Sequence, residues 1–510
     1  MNHRHLIAAT SGVYLLGNAM FAAALAPIPA IAVWIGCAGA FWLVWTAKSE
    51  DRDSFLDAPI DARLFGSCLL AALAILILGG EGHFFHAVND WLIRDATLTD
   101  IVHRGVLAAY QFEGRDYALR APIGMYVVPA LAGQWTSLFG AHLAMVAQNA
   151  VLLASILYVF GYLAPGHRLA VLALMIFFAG LDIAPVLAQA IARRLGGDDF
   201  WLPTTLTVWA PWFAYVPSLQ DFFWAPNHAL PGWWFAALAL LVARRELDVA
   251  GLAAAAAPLA LWSPLAIACA PFFLLLFVAR QPARALASPR NWMSLFACCL
   301  FFPVAAYLTA ASDTIASSWT ILRPGFWLIY ALTIAVELPQ LLIVAIYWRL
   351  TTPERRPTLV LSAVLLLAIP AFGFGPVDDF VLRTPIAPLA ILAFEFAVVA
   401  TRIDPARQPV GRLAIVCVVG IGLFGPGFEI LRAFVRARFA ISDCGLMQAA
   451  RDFEIRSGVA PSTFEPPSHY VAALDRMPRW LIVYDPAQAV PFEPRVCWPD
   501  HPLLSQFQPK

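Results

Sequence analysis

Long apolar runs, each about the twenty residues a helix needs to cross a bilayer, recur along almost the whole chain. Thirteen are read from the pattern: 6–25, 28–47, 64–80, 141–163, 169–188, 229–243, 249–263, 264–279, 292–311, 324–347, 358–374, 385–401 and 413–433. The pair at 249–279 is short and meets at Pro264. No internal repeat is visible. Three stretches interrupt the runs: 81–140, 189–228 and the tail 434–510. In the first, Leu92, Ile93, Ala96, Asp100 and Ile101 have helical spacing, which predicts an amphipathic helix lying on the membrane surface. The following 119–140 is apolar but holds two prolines and three glycines. It reads as a second interfacial helix ahead of the run 141–163, a full span being the other reading. The tail alone looks soluble, and its prolines and short strand-like runs predict a small α+β cap. The pattern as a whole predicts an all-α polytopic membrane protein of about 13 transmembrane helices. It divides into an N-terminal hairpin and loop (1–63), a core (64–433, with outer loops 81–140, 189–228 and 375–384) and the tail (434–510).

Composition sharpens this. Of 510 residues, 61% are hydrophobic and 13% charged, and mean hydropathy is +0.72. A soluble domain has roughly 45–50% apolar and about 25% charged residues, so soluble, disordered and fibrous classes are excluded. Net charge is zero, which leaves nucleic-acid binding without an electrostatic basis. With the N-terminus in the cytoplasm, the cytoplasmic segments hold 16 Lys and Arg in 64 residues, the opposite loops 8 in 122. That asymmetry sets the orientation by the positive-inside rule and puts the tail outside. Arg193 and Arg194 run against it, with Asp198 and Asp199 nearby to neutralise them. The N-terminus also has the layout of a signal peptide, ending at Ala24-Leu25-Ala26.

Polar residues concentrate in the first outer loop. Glu81, His83, His86, Asp90, Arg94, Asp95, Asp100, His103 and Arg104, with Asn89 among them, form the densest ionisable cluster. At the start of the predicted helix, Asn89 or Asp90 suits an N-cap; Asp90 equally suits a general base at the water–lipid boundary. His83, His86 and Asp90 at i, i+3 and i+7 are a candidate divalent-metal site, though the spacing is common. No other cofactor is called for. Among the acids inside runs, Asp182 and Glu429 lie near outer ends, the latter with Arg432 beside it, and Glu337 and Glu395 lie deeper without an evident partner. The loop 198–234 carries Trp201, Trp209, Trp212, Trp224, Trp233 and Trp234 with Pro226-Asn227-His228, either an interfacial belt or an aromatic groove. Arg383 opens a late run on the side poor in positive charge. Its planar fork matches phosphate, a pair with Asp378 or Asp379 being the plainer role. Cys444 and Cys497 are the two cysteines outside the runs. An oxidising compartment favours a disulfide between them over two free thiols.

The order of these pieces resembles the GT-C superfamily of multi-span glycosyltransferases, over about residues 64–433. Asp90-Trp91 in the first loop, Gly180-Leu181-Asp182, Pro226-Asn227-His228 and Asp379 to Arg383 match, in order, motifs of a bacterial subgroup. Asn227 stands where that subgroup has Gln, and the hairpin 6–47 is additional. The segment from Pro122 through Tyr126 to Gly140 is similar to the proline- and aromatic-rich stretch before the next span. The resemblance implies a GT-C-like fold and inverting transfer of a sugar from a polyprenyl-phosphate carrier. The acceptor would be a glycan, lipid or protein on the outer face of a bacterial inner membrane. It implies Asp90 as base, Asp182 as a second acid, and Arg383, His228, Arg94 and Tyr126 on the donor phosphate and sugar. A lipid-linked sugar flippase or a non-catalytic envelope assembly protein is the alternative.

Overall fold

A computed structural model describes residues 2–49, 55–197, 205–207, 209–375, 379–456, 464–483 and 489–499. Asp198, Asp199, Trp201 and Asp378 lie outside them. The first half of the chain forms helices α1 (His3–Ala22), α2 (Pro27–Trp45), α3 (Ala62–Leu78), α4 (Asp90–Arg104), α5 (Gly124–Trp135), α6 (Leu138–Leu163), α7 (Arg168–Ile176), α8 (Ile183–Leu195), α9 (Ser218–Trp224) and α10 (Pro226–Ala243). The second half is also mostly helical.

Among the described residues, six helices are long and apolar enough to cross a membrane: α1, α2, α6, Pro289–Thr309, Asp379–Arg402 and Pro409–Val435. A seventh crossing arises if Phe326–Glu337 and Pro339–Ile346, bent by 67°, count as one. The thirteen runs therefore do not each become one straight helix. Run 169–188 splits into α7 and α8, because Gly180 lies against another chain segment. A β-carbon on Gly180 would fall 2.9 Å from the Glu337 Cα, and Leu181 donates its N–H to the Val336 carbonyl instead of continuing a helix. Pro339 bends the 324–347 run, since proline removes a helical donor and clashes with the preceding turn. Runs 64–80, 249–263 and 264–279 become the shorter apolar helices Ala62–Leu78, Val249–Leu261 and Ala270–Arg280.

Two helices form the centre. Every residue of α10 is buried, and so is Ile386 through Ala400 of Ile386–Arg402. A helix apolar all round belongs in such a core. Gly232 permits their contact: a β-carbon there would sit 2.5 Å from the Ile386 side chain. Pro409–Val435 is the reverse, only 22% buried, with Leu413, Val416, Phe424, Leu431 and Phe434 exposed as on a lipid-facing helix.

Polar contacts gather at two ends. At one, the basic breaks of the sequence meet: Arg4 pairs with Asp57, Arg168 with Asp61, Arg290 with Asp248, and Arg402 donates to the Leu350 carbonyl. Glu395, without a partner in sequence, ion-pairs with buried Arg355 at 2.6 Å.

At the other end the segment 81–140 and the tail are sewn together. Strands β1 (Ala109–Phe112) and β2 (Arg115–Leu119) form a hairpin through Glu113 and Gly114, both at positive φ, the left-handed pair a tight hairpin turn requires. A short ladder joins β3 (Ser317–Ser318) to β4 (Gly373–Phe374). From the tail, β5 (Val471–Ala473) pairs with β2 and β6 (Val490–Pro491) with β1, giving the order β5-β2-β1-β6. Cys444 and Cys497 are disulfide-bonded, their Cα atoms 5.8 Å apart. The tail is thus not a cap folded on itself; its strands complete a sheet begun some 350 residues earlier.

This sheet changes the expectation for α4. Trp91, Leu92 and Arg94 through Val102 are buried, so the helix does not lie open on a surface. Its polar face meets the tail: Asp100 accepts from the Leu446 N–H at 2.6 Å and from the Tyr110 hydroxyl, and Thr99 donates to the Ser442 carbonyl. α5 is a separate twelve-residue helix ahead of α6.

Candidate functional site

Arg94 from α4, Tyr126 from α5, His228 from α10 and Arg383 from the start of Asp379–Arg402 line one cavity of about 280 Å³. They come from four elements and nearly 300 positions of sequence. Arg120, Asp379, His469 and Tyr470 join them, and Leu265, Leu308, Ile315 and Phe374 supply apolar wall.

Hydrogen bonds order the floor of the cavity. Arg94 Nε donates to Asn227 Oδ1 at 3.1 Å. That fixes the amide, so Asn227 Nδ2 donates to His228 Nε2 at 3.2 Å. His228 must then carry its proton on Nδ1, which donates to Ser263 Oγ at 2.6 Å. Both ring nitrogens of His228 are thereby engaged within the protein. The histidine braces Asn227 and Arg94 rather than presenting a nitrogen to a ligand, which corrects the expected donor contact. The Arg94 Nη1 nitrogen is buried without a hydrogen-bond partner.

Arg383 pairs with Asp379 at 2.8 Å, and Asp90 and Asp221 stand close enough for their charges to act on it. Arg120 donates to the carbonyls of Leu308 and Ser468, and its Nε is buried without a partner. Burial in this wall holds His469 below the ordinary histidine range. Arg120 and Arg383 act in the same direction, and Asp379 opposes them.

Asp90 is the first residue of α4, next to the cavity rather than in its lining. Its carboxylate is half-exposed and 3.6 Å from the Arg94 guanidinium. It is not in an ion pair with Arg383. Asn89 makes no side-chain capping bond, so the capping role expected of this pair is not what the structure uses. Asp182 is elsewhere. Trp209 Nε1 stands 3.3 Å from Asp182 Oδ1 and 3.0 Å from Glu337 Oε1, so those two acids share an indole donor, and Asp182 does not line the cavity. The described tryptophans of this loop do not form an aromatic groove here either. Trp224 donates to Glu429, Trp212 stacks on Phe326, and Trp233 and Trp234 are fully buried.

His83, His86 and Asp90 do not meet as a metal site. His86 bonds the Ala437 carbonyl, and His83 turns to Asp95 and His142. Of the residues the sequence reading missed, Arg120 carried a usable signal: like Arg383, it is an arginine on the side poor in positive charge. Nothing local marks His469 or Tyr470. A second cavity of about 320 Å³ lies at the opposite end, among Lys48, Arg245, Arg280, Arg284 and Arg290.

No protein-family model matches the chain, and neither does a curated protein or a solved structure.

Proposed function

We propose that the cavity takes the phosphate and sugar of a polyprenyl-phosphate-linked donor, and that the protein is an inverting GT-C-type glycosyltransferase. The observation that carries the reading is the convergence of Arg94, Arg120 and Arg383, with Tyr126 and Tyr470, on one partly apolar cavity. Guanidinium forks suit phosphate oxygens, and Leu265, Leu308, Ile315 and Phe374 suit the first isoprenoid units. The acceptor hydroxyl attacks the anomeric carbon as the bond to the lipid phosphate breaks. Arg383 and Arg120 stabilise the charge arriving on the departing polyprenyl phosphate. Asp90 takes the hydroxyl proton, Asp379 serves as the counter-ion of Arg383, and His228 positions Arg94 through Asn227. Asp182 is left out of this chemistry.

The same reading puts the protein in a bacterial inner membrane with the basic end in the cytoplasm. The cavity end and the tail face the periplasm, where a glycan, lipid or protein acceptor is met. The short and broken helices complete further crossings toward the thirteen that hydropathy predicts, in a GT-C-like arrangement, with the tail as the outer α+β layer.

The test is turnover by the purified protein in nanodiscs, using a panel of polyprenyl-phosphate hexoses and pentoses with envelope acceptors. Asp90→Asn removes the base and leaves a half-exposed side chain of the same shape. It is expected to lower the rate at least about 100-fold with folding unchanged, and Asp379→Asn to act more mildly through donor affinity. The reverse order makes Asp379 the base. Donor binding with no turnover on any acceptor supports a flippase instead.

A further inference from the structure

We propose that His83, Asp95 and His142 form a divalent transition-metal site, separate from the donor cavity and independent of what that cavity binds. His83 comes from the loop after α3, Asp95 from the middle of α4 and His142 from the first turns of α6. One ligand atom from each lies within 4.8 Å of the other two. All three residues are buried: His142 is 0% exposed, Asp95 1% and His83 7%.

The polar atoms at this point are only partly satisfied by protein. Both carboxylate oxygens of Asp95, both ring nitrogens of His142 and Nε2 of His83 lack a hydrogen bond. His83 Nε2 and Asp95 Oδ2 are 2.9 Å apart, an ion pair when the ring is protonated. His142 Nδ1 is 3.9 Å from Asp95 Oδ1. Outside the His83–Asp95 contact, the other Asp95 oxygen and the His142 ring still carry a desolvation cost, and a cation held by one atom of each residue lowers it. An ion about 2.0–2.2 Å from nitrogen and oxygen ligands keeps those atoms roughly 3.3 Å apart, so small side-chain rotations close the site.

The surroundings fit the same conclusion. His83 Nδ1 is 3.1 Å from the Phe439 carbonyl. That carbonyl can only accept, so Nδ1 carries a proton; in the neutral ring the Nε2 lone pair then faces Asp95, and the Nδ1 contact is the outer-shell bond typical of metal-bound histidine. Glu81 is buried beside His83 and accepts a hydrogen bond from the Asn149 side chain at 2.8 Å. Two imidazoles and one carboxylate suit zinc and its neighbours rather than magnesium or calcium.

Such an ion ties α4 to α6, and through Phe439 to the chain entering the tail. Its role is positioning: α4 is the helix that carries Asp90 and Arg94.

The experiment measures metal in the purified full-length protein, with zinc and cobalt as probes. Wild-type protein grown with zinc is expected to retain close to one zinc per chain after dialysis. Chelator-stripped protein should take up one cobalt with visible ligand-field bands. His142→Gln and Asp95→Asn should weaken cobalt binding at least about tenfold. Thermal unfolding of the wild type should shift upward on adding zinc, an arm that needs no variant. Wild-type protein with no retained zinc, no cobalt bands and no zinc-dependent shift overturns the site. So does a folded His142→Gln that binds cobalt as the wild type does.

Discussion

His469 turns the chemistry of the cavity into a pH dependence. Burial and two arginines keep it neutral at pH 7. A bound phosphodiester, which stays anionic over the whole range, favours the protonated ring. Donor affinity should therefore rise as pH falls from about 7 toward 5.5, where an ordinary histidine is already charged. His469→Gln should flatten that rise, and titration calorimetry with a soluble short-chain donor reads it directly. An affinity that falls with acidification in the wild type contradicts the placement of His469 beside the phosphate. Single residues were unevenly legible in sequence. Arg383 and Arg94 could be read because charge is scarce in an apolar chain. His228 was found but its role was not, since its two hydrogen bonds run to Asn227 next door and to Ser263, 35 residues on. Asp182 was misplaced because an acid in an apolar run announces that it has a partner, not which one.

Among elements, α4 departs furthest from its sequence. Its periodicity predicts a surface helix, and α4 is indeed a helix, but the tail covers the polar face. No local pattern reports a partner nearly 350 residues away. The disulfide holds that partner in place. Its ends are 53 residues apart, for which loop-closure entropy corresponds to about 4 kcal/mol of stabilisation. Replacing both cysteines by serine should lower the unfolding temperature and speed amide exchange in β1 and β2 as well as in the tail, because the four strands form one sheet. Exchange confined to the tail would show that the sheet does not depend on the bridge. The broken helices follow another physical rule. Hydropathy counts apolar residues and is blind to a glycine crossing such as Gly180 or to the bend at Pro339.

For the whole molecule, the separation of basic and mixed ends predicts a topology. Periplasm-dependent reporter fusions after residue 440 should be active, and fusions at 352 or 405 silent; activity at 405 inverts the orientation. The membrane class was readable from composition alone. The cavity was not, because it exists only where α4, α5, α10, the Asp379–Arg402 helix and the tail come together. Its content is the central claim. The most direct measurement is a cryo-electron microscopy structure with a polyprenyl phosphate bound. The phosphate should lie within hydrogen-bonding distance of Arg383 and Arg120, with Asp90 facing it across the space of a sugar and the isoprenoid running along Leu265 and Leu308. A phosphate seated instead at the opposite end, among Arg245, Arg280 and Arg290, with this cavity empty, would contradict the account.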